Sequence, residues 1–181
     1  MSVQPALTLW VATFDGRSAE IAQRMATRLQ ALGIRTQTEE LGSVPPPLPD
    51  GPVLVVAAVR YGRLLPAARA ALQRLAMTPQ HPAALAVVCL SARRPDRRSA
   101  RDNPYLRRAM AQSGLRPLLA EAFGGRLDYM RCRWFDRQMI RLIMKLTGGP
   151  SDGVSVLDYT DWGQVERFSD RLADVLGSAP H

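Results

Sequence analysis

Two long apolar runs separated by a helix-length segment constrain the fold of this chain more than any other feature. Residues 52–59 and residues 83–90 carry almost no polar side chain. A strand with one face in solvent alternates polar and apolar residues, whereas a strand covered on both faces does not. The two runs therefore predict parallel strands in the middle of a sheet that has helices on both sides.

The rest of the chain alternates between strand and helix patterns. The predicted strands are residues 6–12, a partly polar edge strand at 34–41, the two apolar runs, and a fifth strand at 118–123. The first predicted helix follows residue 18 and has Gly33 as its C′ residue, and the second runs from about residue 65 to residue 76. The third begins after an Asn103 N-cap, and the last begins at an Asp161/Gln164 capping box. This alternation predicts an α/β, doubly wound, five-stranded parallel sheet in a single domain, residues 1–181.

The loop Thr13-Phe14-Asp15-Gly16-Arg17-Ser18 joins the first strand to the first helix. Backbone N–H groups at a helix N-terminus attract anions, Gly16 allows a tight turn, and the hydroxyls of Thr13 and Ser18 can donate to a phosphate. The alternative is an ordinary strand–loop–helix unit in which Ser18 is only an N-cap. The glycine patterns of dinucleotide folds and of P-loops are absent.

Ligands of doubly wound sheets bind beyond the carboxyl ends of the strands, where the strand order reverses. Three loops are predicted to meet there, namely residues 13–18, 59–63 and 90–95. Tyr61 could stack on a planar ring in this region. It could equally be an ordinary half-buried tyrosine.

The positive charge of the chain is concentrated in two segments. The net charge is +8, of which residues 93–108 contribute +5 and residues 128–147 contribute +3. Such patches suit nucleic acid, anionic lipid or an acidic small molecule. The first segment has Tyr105 as its one aromatic residue, so nucleic acid is not a predicted partner.

Residues 133–147 predict a basic amphipathic helix inserted in or beside the fifth strand, within an insertion of about residues 128–153. Arginines and a lysine recur every four residues on one side, while Trp134 and Met144 fall inside this basic sector. The opposite side carries apolar residues. One interpretation is a helix that packs on the core with a solvated basic face; the other is a helix at a lipid interface.

Several kinds of chemistry are not predicted. The histidines are His81 and His181, so a histidine-based triad or metal site is not expected. Cys89 and Cys132 form no C-x-x-C pair, and no signal peptide or run of roughly 18 apolar residues is recognisable. These features predict a reduced, cytoplasmic protein in which a cofactor carries any redox chemistry.

Four motifs together resemble one family: TFDGRS at 13–18, VRYG at 59–62, ARRPDRRSARDNPYLRR at 92–108, and YMRCRWFDRQMIRLIMKLTGG at 129–149 followed by DYTDW at 158–162. They are similar to the flavodoxin-type, quinone-dependent protoporphyrinogen IX dehydrogenases of bacterial haem biosynthesis. The resemblance covers nearly the whole chain. It implies a flavodoxin-like sheet that binds FMN non-covalently.

The resemblance also implies site residues. By position, the phosphate would be wrapped by Thr13, Phe14, Asp15, Gly16, Arg17 and Ser18, and the ribityl chain and isoalloxazine bordered by Arg60, Tyr61, Gly62, Leu90, Ser91, Ala92 and Arg93. The candidates for contact with substrate propionates or lipid headgroups are Arg131, Arg133, Trp134, Arg137 and Arg141. No side chain is assigned to catalysis, because the flavin would carry the chemistry. Residues 63–66 lack histidines that some relatives carry.

The implied reaction is the six-electron oxidation of protoporphyrinogen IX in three two-electron steps, with electrons passed to a membrane quinone (menaquinone or ubiquinone). The implied location is the cytoplasmic face of the bacterial inner membrane, as a peripheral protein on an anionic lipid surface; a homo-oligomer is left open. The rival functions are a flavodoxin-like electron carrier, an NAD(P)H–quinone reductase, or a non-enzymatic module that binds nucleic acid or lipid.

Overall fold

The computed structural model describes residues 6–128, 134–146, 148–149, 151 and 156–178. Its strands are β1 (Leu7–Ala12), β2 (Thr36–Glu40), β3 (Val53–Arg60), β4 (Arg63–Leu64), β5 (Ala83–Val88), β6 (Ala120–Phe123), β7 (Arg126–Asp128) and β8 (Val156–Asp158). Its α-helices are α1 (Arg17–Ala31), α2 (Pro66–Ala76), α3 (Pro104–Ser113), α4 (Trp134–Leu146) and α5 (Trp162–Ser178). Single 3₁₀ turns occupy Leu90–Arg93 and Pro95–Arg97.

The central sheet has the strand order β2-β1-β3-β5-β6, and all of these neighbours pair in parallel. This confirms the predicted doubly wound, five-stranded parallel sheet. The predicted edge strand is β2, whose side chains are largely exposed. The sequence patterns do not predict β4, β7 or β8, because two or three residues are too few to show a periodicity.

Side chains of the central strands alternate between two separate cores. On one face, Trp10, Val55 and Leu85 pack with α2 and α3. On the other face, Leu9 and Val56 pack with α1 and α5, and so do alternate residues of the same strands. Each central strand is therefore buried on both sides, which explains why residues 53–58 and 83–88 are continuously apolar.

Asn103 begins α3 and also holds the loop after β5 in place. Its Oδ1 accepts hydrogen bonds from the backbone N–H groups of Tyr105 and Leu106, which confirms the predicted N-cap. Its Nδ2 donates to the carbonyl of Arg97 at 2.7 Å and to Ser91 Oγ at 3.2 Å. The side chain is fully buried, so the cap and the loop depend on the same residue.

Asp161 is the N-terminal cap of α5, as predicted. Its Oδ1 accepts from the N–H of Gln164 at 3.0 Å, and its Oδ2 pairs with Arg98 at 2.9 Å. The reciprocal half of a capping box, in which Gln164 Oε1 would accept from the Asp161 N–H, is not formed: Oε1 has no partner among the described residues, while Nε2 donates to Glu121 Oε1 and to the carbonyl of Ala122. Gln164 thereby attaches α5 to strand β6.

The insertion leaves the sheet after β6 and does not interrupt that strand. Strands β7 and β8 pair antiparallel, and α4 lies between them in sequence. Gly124 lies against the segment that follows β8: a Cβ there would collide with the carbonyl oxygen of Tyr159. Thr160 Oγ1 donates to the Gly124 carbonyl at 3.2 Å, which fixes the hairpin to the end of β6.

Replacing Asp161 by Asn should lower the free energy of unfolding at pH 7 by about 0.5–1 kcal/mol, because Asn still caps the helix but cannot pair with Arg98. The Gln164 N–H and then the Arg98 side chain hold the pKa of Asp161 below its ordinary value of 3.8, against the opposing effect of burial. Such a carboxylate stabilises the fold above its unfolded pKa and loses that contribution as the pH falls through its folded pKa. Urea denaturation should show the difference shrinking below about pH 4.

The matched control is Asp174→Asn, an exposed carboxylate on the same helix. The Asp174→Asn variant should have nearly the unfolding free energy of the parent protein, both at pH 7 and below about pH 4. A loss for Asp161→Asn that does not depend on pH would contradict the ion-pair explanation.

Candidate flavin site

The site lies at the edge of the sheet where β1 and β3 end side by side. The strand order reverses there, because the chain moves from β1 outward to β2 and then back across to β3. Three loops follow the carboxyl ends of β1, β3 and β5: residues 13–16, 61–62 and 89–95. This is the position at which open α/β sheets bind ligands.

The first loop folds on its own side chains. Gly16 is the N-cap of α1 with φ of 88°, in the left-handed region that favours glycine. Thr13 Oγ1 accepts from the Gly16 N–H at 3.0 Å, so its own proton remains able to donate to a ligand. Asp15 Oδ1 accepts from the Arg17 N–H at 3.0 Å, which directs the carboxylate at the loop backbone.

Ser18 carries the clearest sign of a ligand. Its side chain is fully buried, yet Oγ has no hydrogen-bond partner among the described residues. The alternative in which Ser18 is merely the N-cap is wrong, since Gly16 occupies that position and Arg17 already belongs to the helix. A buried hydroxyl without a partner costs about 1–3 kcal/mol, which an anionic oxygen at the helix N-terminus would remove. The loop therefore fits the phosphate of FMN.

The Arg17 side chain contacts the β7–β8 hairpin of the insertion. Its Nη1 pairs with Glu20 at 2.8 Å and its Nη2 with Asp158 at 3.0 Å, and the guanidinium lies 5.7 Å from the Trp162 ring centre. The residue is 5% exposed, and its Nε is buried without a partner. Arg17 therefore fastens the N-terminus of α1 to the end of β8 and leaves one donor unused.

The electrostatics of Asp158 match this role. Burial alone would raise its pKa, but hydrogen bonding by Thr160, whose N–H donates to Asp158 Oδ1 at 3.0 Å, and then the charges of Arg17 and Arg126, outweigh burial and lower it. Asp158 is thus ionised at neutral pH and available to Arg17.

The first and second loops meet through aromatic and cationic groups. The Arg60 guanidinium lies 3.5 Å from the ring centre of Phe14 and 4.9 Å from that of Tyr61. Both rings are exposed, Phe14 by 59% and Tyr61 by 58%. Tyr61 is thus more exposed than a typical half-buried tyrosine. The loops present two aromatic surfaces at one edge of the sheet, suitable for a planar ring.

Tyr61 is also held in an unusual backbone conformation. Arg60 and Arg63 are paired across the β3–β4 hairpin, so Tyr61 and Gly62 form a two-residue turn. Their φ angles are 50° and 72°, as such a turn requires, and Tyr61 is the one described non-glycine residue with positive φ. A tyrosine in this region costs about 1 kcal/mol or more, which is the kind of strain found at binding sites.

In the third loop, the four predicted residues face different directions. Ala92 is fully buried in the α2/α3 core, so its side chain contacts no ligand and its backbone alone could. Ser91 Oγ interacts with Asn103 and Cys89. Leu90 packs with Met144 of the insertion. A Cβ at Gly149, in the connection after α4, would lie 3.4 Å from an Arg93 nitrogen, so the loop and the insertion are adjacent.

Helix α4 turns its apolar side outward. Among the described residues, Ile140 and Met144 make its apolar contacts with the rest of the protein, in a cluster with Leu90, Leu127 and Leu157. The interpretation of α4 as a core-packing helix with a solvated basic face is therefore wrong. Met144 lies in the basic sector of the helix, and it is buried because that sector is turned towards the protein. The outward side carries four large apolar side chains that are 43–77% exposed: Met139, Leu142, Ile143 and Leu146.

The residues predicted to contact propionates or headgroups fall only partly within the described residues. Arg131 and Arg133 are outside the described residues, and so is the side chain of Trp134, which begins α4. Arg137 is half-buried. Arg141 donates Nε to the carbonyl of Ser151 at 2.9 Å and so braces the connection after α4. Within the described helices, none is both long and apolar enough to cross a membrane.

Several residues of the site have no assigned role at the level of sequence. Asp158 forms an ion pair with Arg17, and the Trp162 ring lies beside the Arg17 guanidinium. Tyr159 packs beside Leu90 and Met144, and its buried hydroxyl has no described partner. The motif DYTDW draws attention to them, but the contact with Arg17, 141 residues away, exists only in the folded chain.

Comparison with known proteins agrees with the geometry. Residues 9–153 match the flavodoxin-domain family. The fold is similar to that of oxidised Flavodoxin 1 from Bacillus cereus, with a TM-score of 0.54, 13% identity, and coverage of 97% of this chain and 99% of that one. The class is thus that of flavodoxin-domain proteins, which confirms the predicted flavin cofactor and the predicted fold.

The sequence relatives are more specific. The chain is 35% identical over 166 residues to protoporphyrinogen IX dehydrogenase [quinone] of Escherichia coli K12, covering 90% of this chain and 92% of the relative. It is 38% identical over 129 residues to the protein of that name in Leishmania major, covering 71% of this chain and 56% of the relative. The chain belongs to the protoporphyrinogen IX dehydrogenase [quinone] family, which confirms the resemblance and the prediction of an oxidoreductase.

Replacing Ser18 by Ala should weaken FMN binding by about 10-fold or more, because a hydrogen bond to a charged group contributes about 1.5–3 kcal/mol. Riboflavin, which lacks the phosphate, should bind parent and variant equally. The unfolding free energy of the FMN-free protein should not fall, since the change removes a buried hydroxyl without a partner. Quenching of flavin fluorescence measures both affinities.

The control is Thr27→Ala, which removes an exposed hydroxyl about two and a half turns further along α1. It should leave FMN affinity unchanged. If Ser18→Ala weakened FMN and riboflavin by the same factor, Ser18 would not be a phosphate contact.

Proposed function

We propose that this protein binds FMN and oxidises protoporphyrinogen IX to protoporphyrin IX with a membrane quinone as electron acceptor. The observation that carries the proposal is family membership over nine-tenths of the chain, including the insertion. The structure supports it with a phosphate-binding loop, two exposed aromatic rings beside it, and an apolar helix face directed outward.

The overall reaction removes six electrons and six protons from the macrocycle and forms three molecules of quinol from three of quinone. FMN supplies the two-electron chemistry by accepting electrons from one substrate and passing them to the other. Three rounds at one site complete the oxidation.

The chain's own residues would bind and orient the reactants. Ser18 and Thr13 would donate to the phosphate, and the backbone at Gly16 would approach it closely. Phe14 and Tyr61, held together by Arg60, would flank the ring system and limit access of water to it. No described side chain is assigned to proton removal, which solvent can accomplish.

The outward face of α4 would meet the lipid phase that holds the quinone. Its four apolar side chains are too exposed to contribute to the core, and the segment that contains them has a net charge of +3. Apolar side chains beside positive charge are typical of helices that lie in the interface of an anionic membrane. In this proposal the protein is peripheral, on the cytoplasmic face of the bacterial inner membrane.

An anaerobic fluorescence assay tests the reaction. FMN-loaded protein mixed with protoporphyrinogen IX and a menaquinone or ubiquinone analogue should give a rise in porphyrin fluorescence that depends on the quinone, because the product is a conjugated fluorescent macrocycle and the substrate is not. Samples without quinone and without protein are the controls.

The rival functions give different results in the same assay. A flavodoxin-like electron carrier would bind FMN but produce no quinone-dependent fluorescence. An NAD(P)H–quinone reductase would have its flavin absorbance bleached rapidly by NAD(P)H, which the proposed enzyme would not. A binding module would hold no flavin.

Replacing Leu142, Ile143 and Leu146 by Gln should reduce sedimentation with anionic liposomes by about 10-fold or more, because each apolar side chain that enters lipid contributes about 1 kcal/mol or more. Thermal stability should change little, since these side chains are 50–77% exposed. The control is Met77→Gln at the C-cap of α2, outside the insertion, where an apolar side chain is 84% exposed.

Reversal of charge at Arg131, Arg133 and Arg137 examines the basic residues of the insertion. It should weaken liposome binding in low salt or raise the apparent KM for the porphyrinogen. If neither quantity changed, these arginines would contact neither headgroups nor propionates.

A further inference from the structure

A groove of about 430 Å³ lies between α2 and α3, behind the Tyr61–Gly62 turn. None of the residues predicted to bind substrate lines it. Its floor is apolar, with Leu64, Leu72 and Ala109 each at most 7% exposed. Gln73 and Gln112 stand on opposite walls, one on each helix. The groove could therefore hold a ligand that is apolar in part and polar at one end.

Three arginines from three elements line this groove: Arg63 of β4, Arg69 of α2 and Arg108 of α3. The lining contains no carboxylate, and none of the three arginines has an acidic partner within the described residues. Positive groups held together without a counter-ion repel one another, so an anion that enters between them is favoured.

Several arginines that connect two elements elsewhere in the described residues have carboxylate partners. Arg24 and Arg28 on α1 pair with Glu166 and Asp170 on α5. Arg98 pairs with Asp161. The chain thus supplies carboxylates where an arginine joins two elements, and the groove lacks them. This contrast points to an anionic ligand and, because the guanidinium fork matches it, to a carboxylate.

The groove and the flavin region share the same turn. Arg108 Nη1 donates to the carbonyl of Gly62 at 3.2 Å, and a Cβ at Gly62 would lie 3.8 Å from the Tyr105 ring. The exposed ring of Tyr61 belongs to the same turn and does not line the groove. Burial raises the pKa of Tyr105, so its hydroxyl remains a donor at neutral pH. A macrocycle lying over Tyr61 would reach the arginines of the groove if one of its own side chains extended across Tyr61 and Gly62.

We propose that the groove between α2 and α3 binds a propionate carboxylate of the tetrapyrrole substrate. This inference rests on the proposed function, because it takes the propionate-bearing macrocycle as the ligand. It assigns Arg63, Arg69 and Arg108 to substrate orientation, separately from the arginines of the insertion. The macrocycle would be held at its acidic edge by the groove and would present its apolar body to the aromatic side of the turn.

Direct binding of protoporphyrin IX tests this assignment without turnover. The product carries the same two propionates and is fluorescent, and its dimethyl ester has the same macrocycle without the charges. Fluorescence anisotropy would be recorded with dilute porphyrin and FMN-loaded protein, in the absence of lipid. Inorganic phosphate added at increasing concentration distinguishes a carboxylate site from a phosphate or headgroup site.

The test variant is the double substitution Arg63→Gln and Arg69→Gln, because both side chains are exposed and neither forms a described hydrogen bond that folding would lose. Its affinity for the diacid should fall about 10-fold or more, while its affinity for the dimethyl ester should not change. The control Arg74→Gln removes an exposed arginine of the same helix outside the groove and should alter neither affinity.

Loss of affinity for acid and ester alike, or no loss, would overturn the proposal. So would displacement of the porphyrin by millimolar phosphate, which would assign the groove to phosphate or lipid headgroups. If the anaerobic assay showed no porphyrin formation while the double variant still lost the diacid alone, the carboxylate site would stand and the proposed reaction would fail. If porphyrin formed and the apparent KM of the double variant were unchanged, the groove assignment alone would fail.

Discussion

Burial of β1, β3 and β5 on both faces is the constraint on which the rest of this structure depends. Parallel strands covered by helices on both sides must all end at the same edge of the sheet. The loops after them then meet although they are distant in sequence. The loop after β1 leads directly into α1, and the turn after β3 is closed by β4, so the Phe14, Arg60 and Tyr61 side chains are held in contact. The flavin site follows from this geometry.

Arginine serves two physical roles in the molecule. In pairs such as Arg17–Asp158 and Arg98–Asp161 it connects elements that are far apart in sequence. Arg17 is the more consequential, because it joins the phosphate loop to the base of the insertion while nearly buried. In the α2/α3 groove the same residue type has no described acidic partner and is available to a ligand. The net charge of the chain therefore does not indicate by itself where an anion binds.

Helix α4 shows how a sequence pattern can predict an element correctly and leave its orientation open. The amphipathic period gives the helix within one residue at each end. A soluble domain would be expected to bury the apolar side, yet Ile140 and Met144 make the contact and Leu142 and Leu146 face outward. The hairpin of β7 and β8 sets the direction from which the helix leaves the sheet, and this depends on long-range pairing that a periodicity does not contain.

The sequence by itself determined the sheet, the order of its helices, the caps at Asn103 and Asp161, and the loops that form the site, because these follow from burial patterns and local hydrogen bonding. It also carried the family, through motifs in those loops. Only the tertiary structure decided that Ser18 is buried without a partner, that Arg17 reaches Asp158, that Tyr61 is exposed in a strained turn, and that three arginines converge on one groove. Each of these depends on atoms brought together from distant parts of the chain, and the energy of such contacts is set by packing that no local pattern encodes.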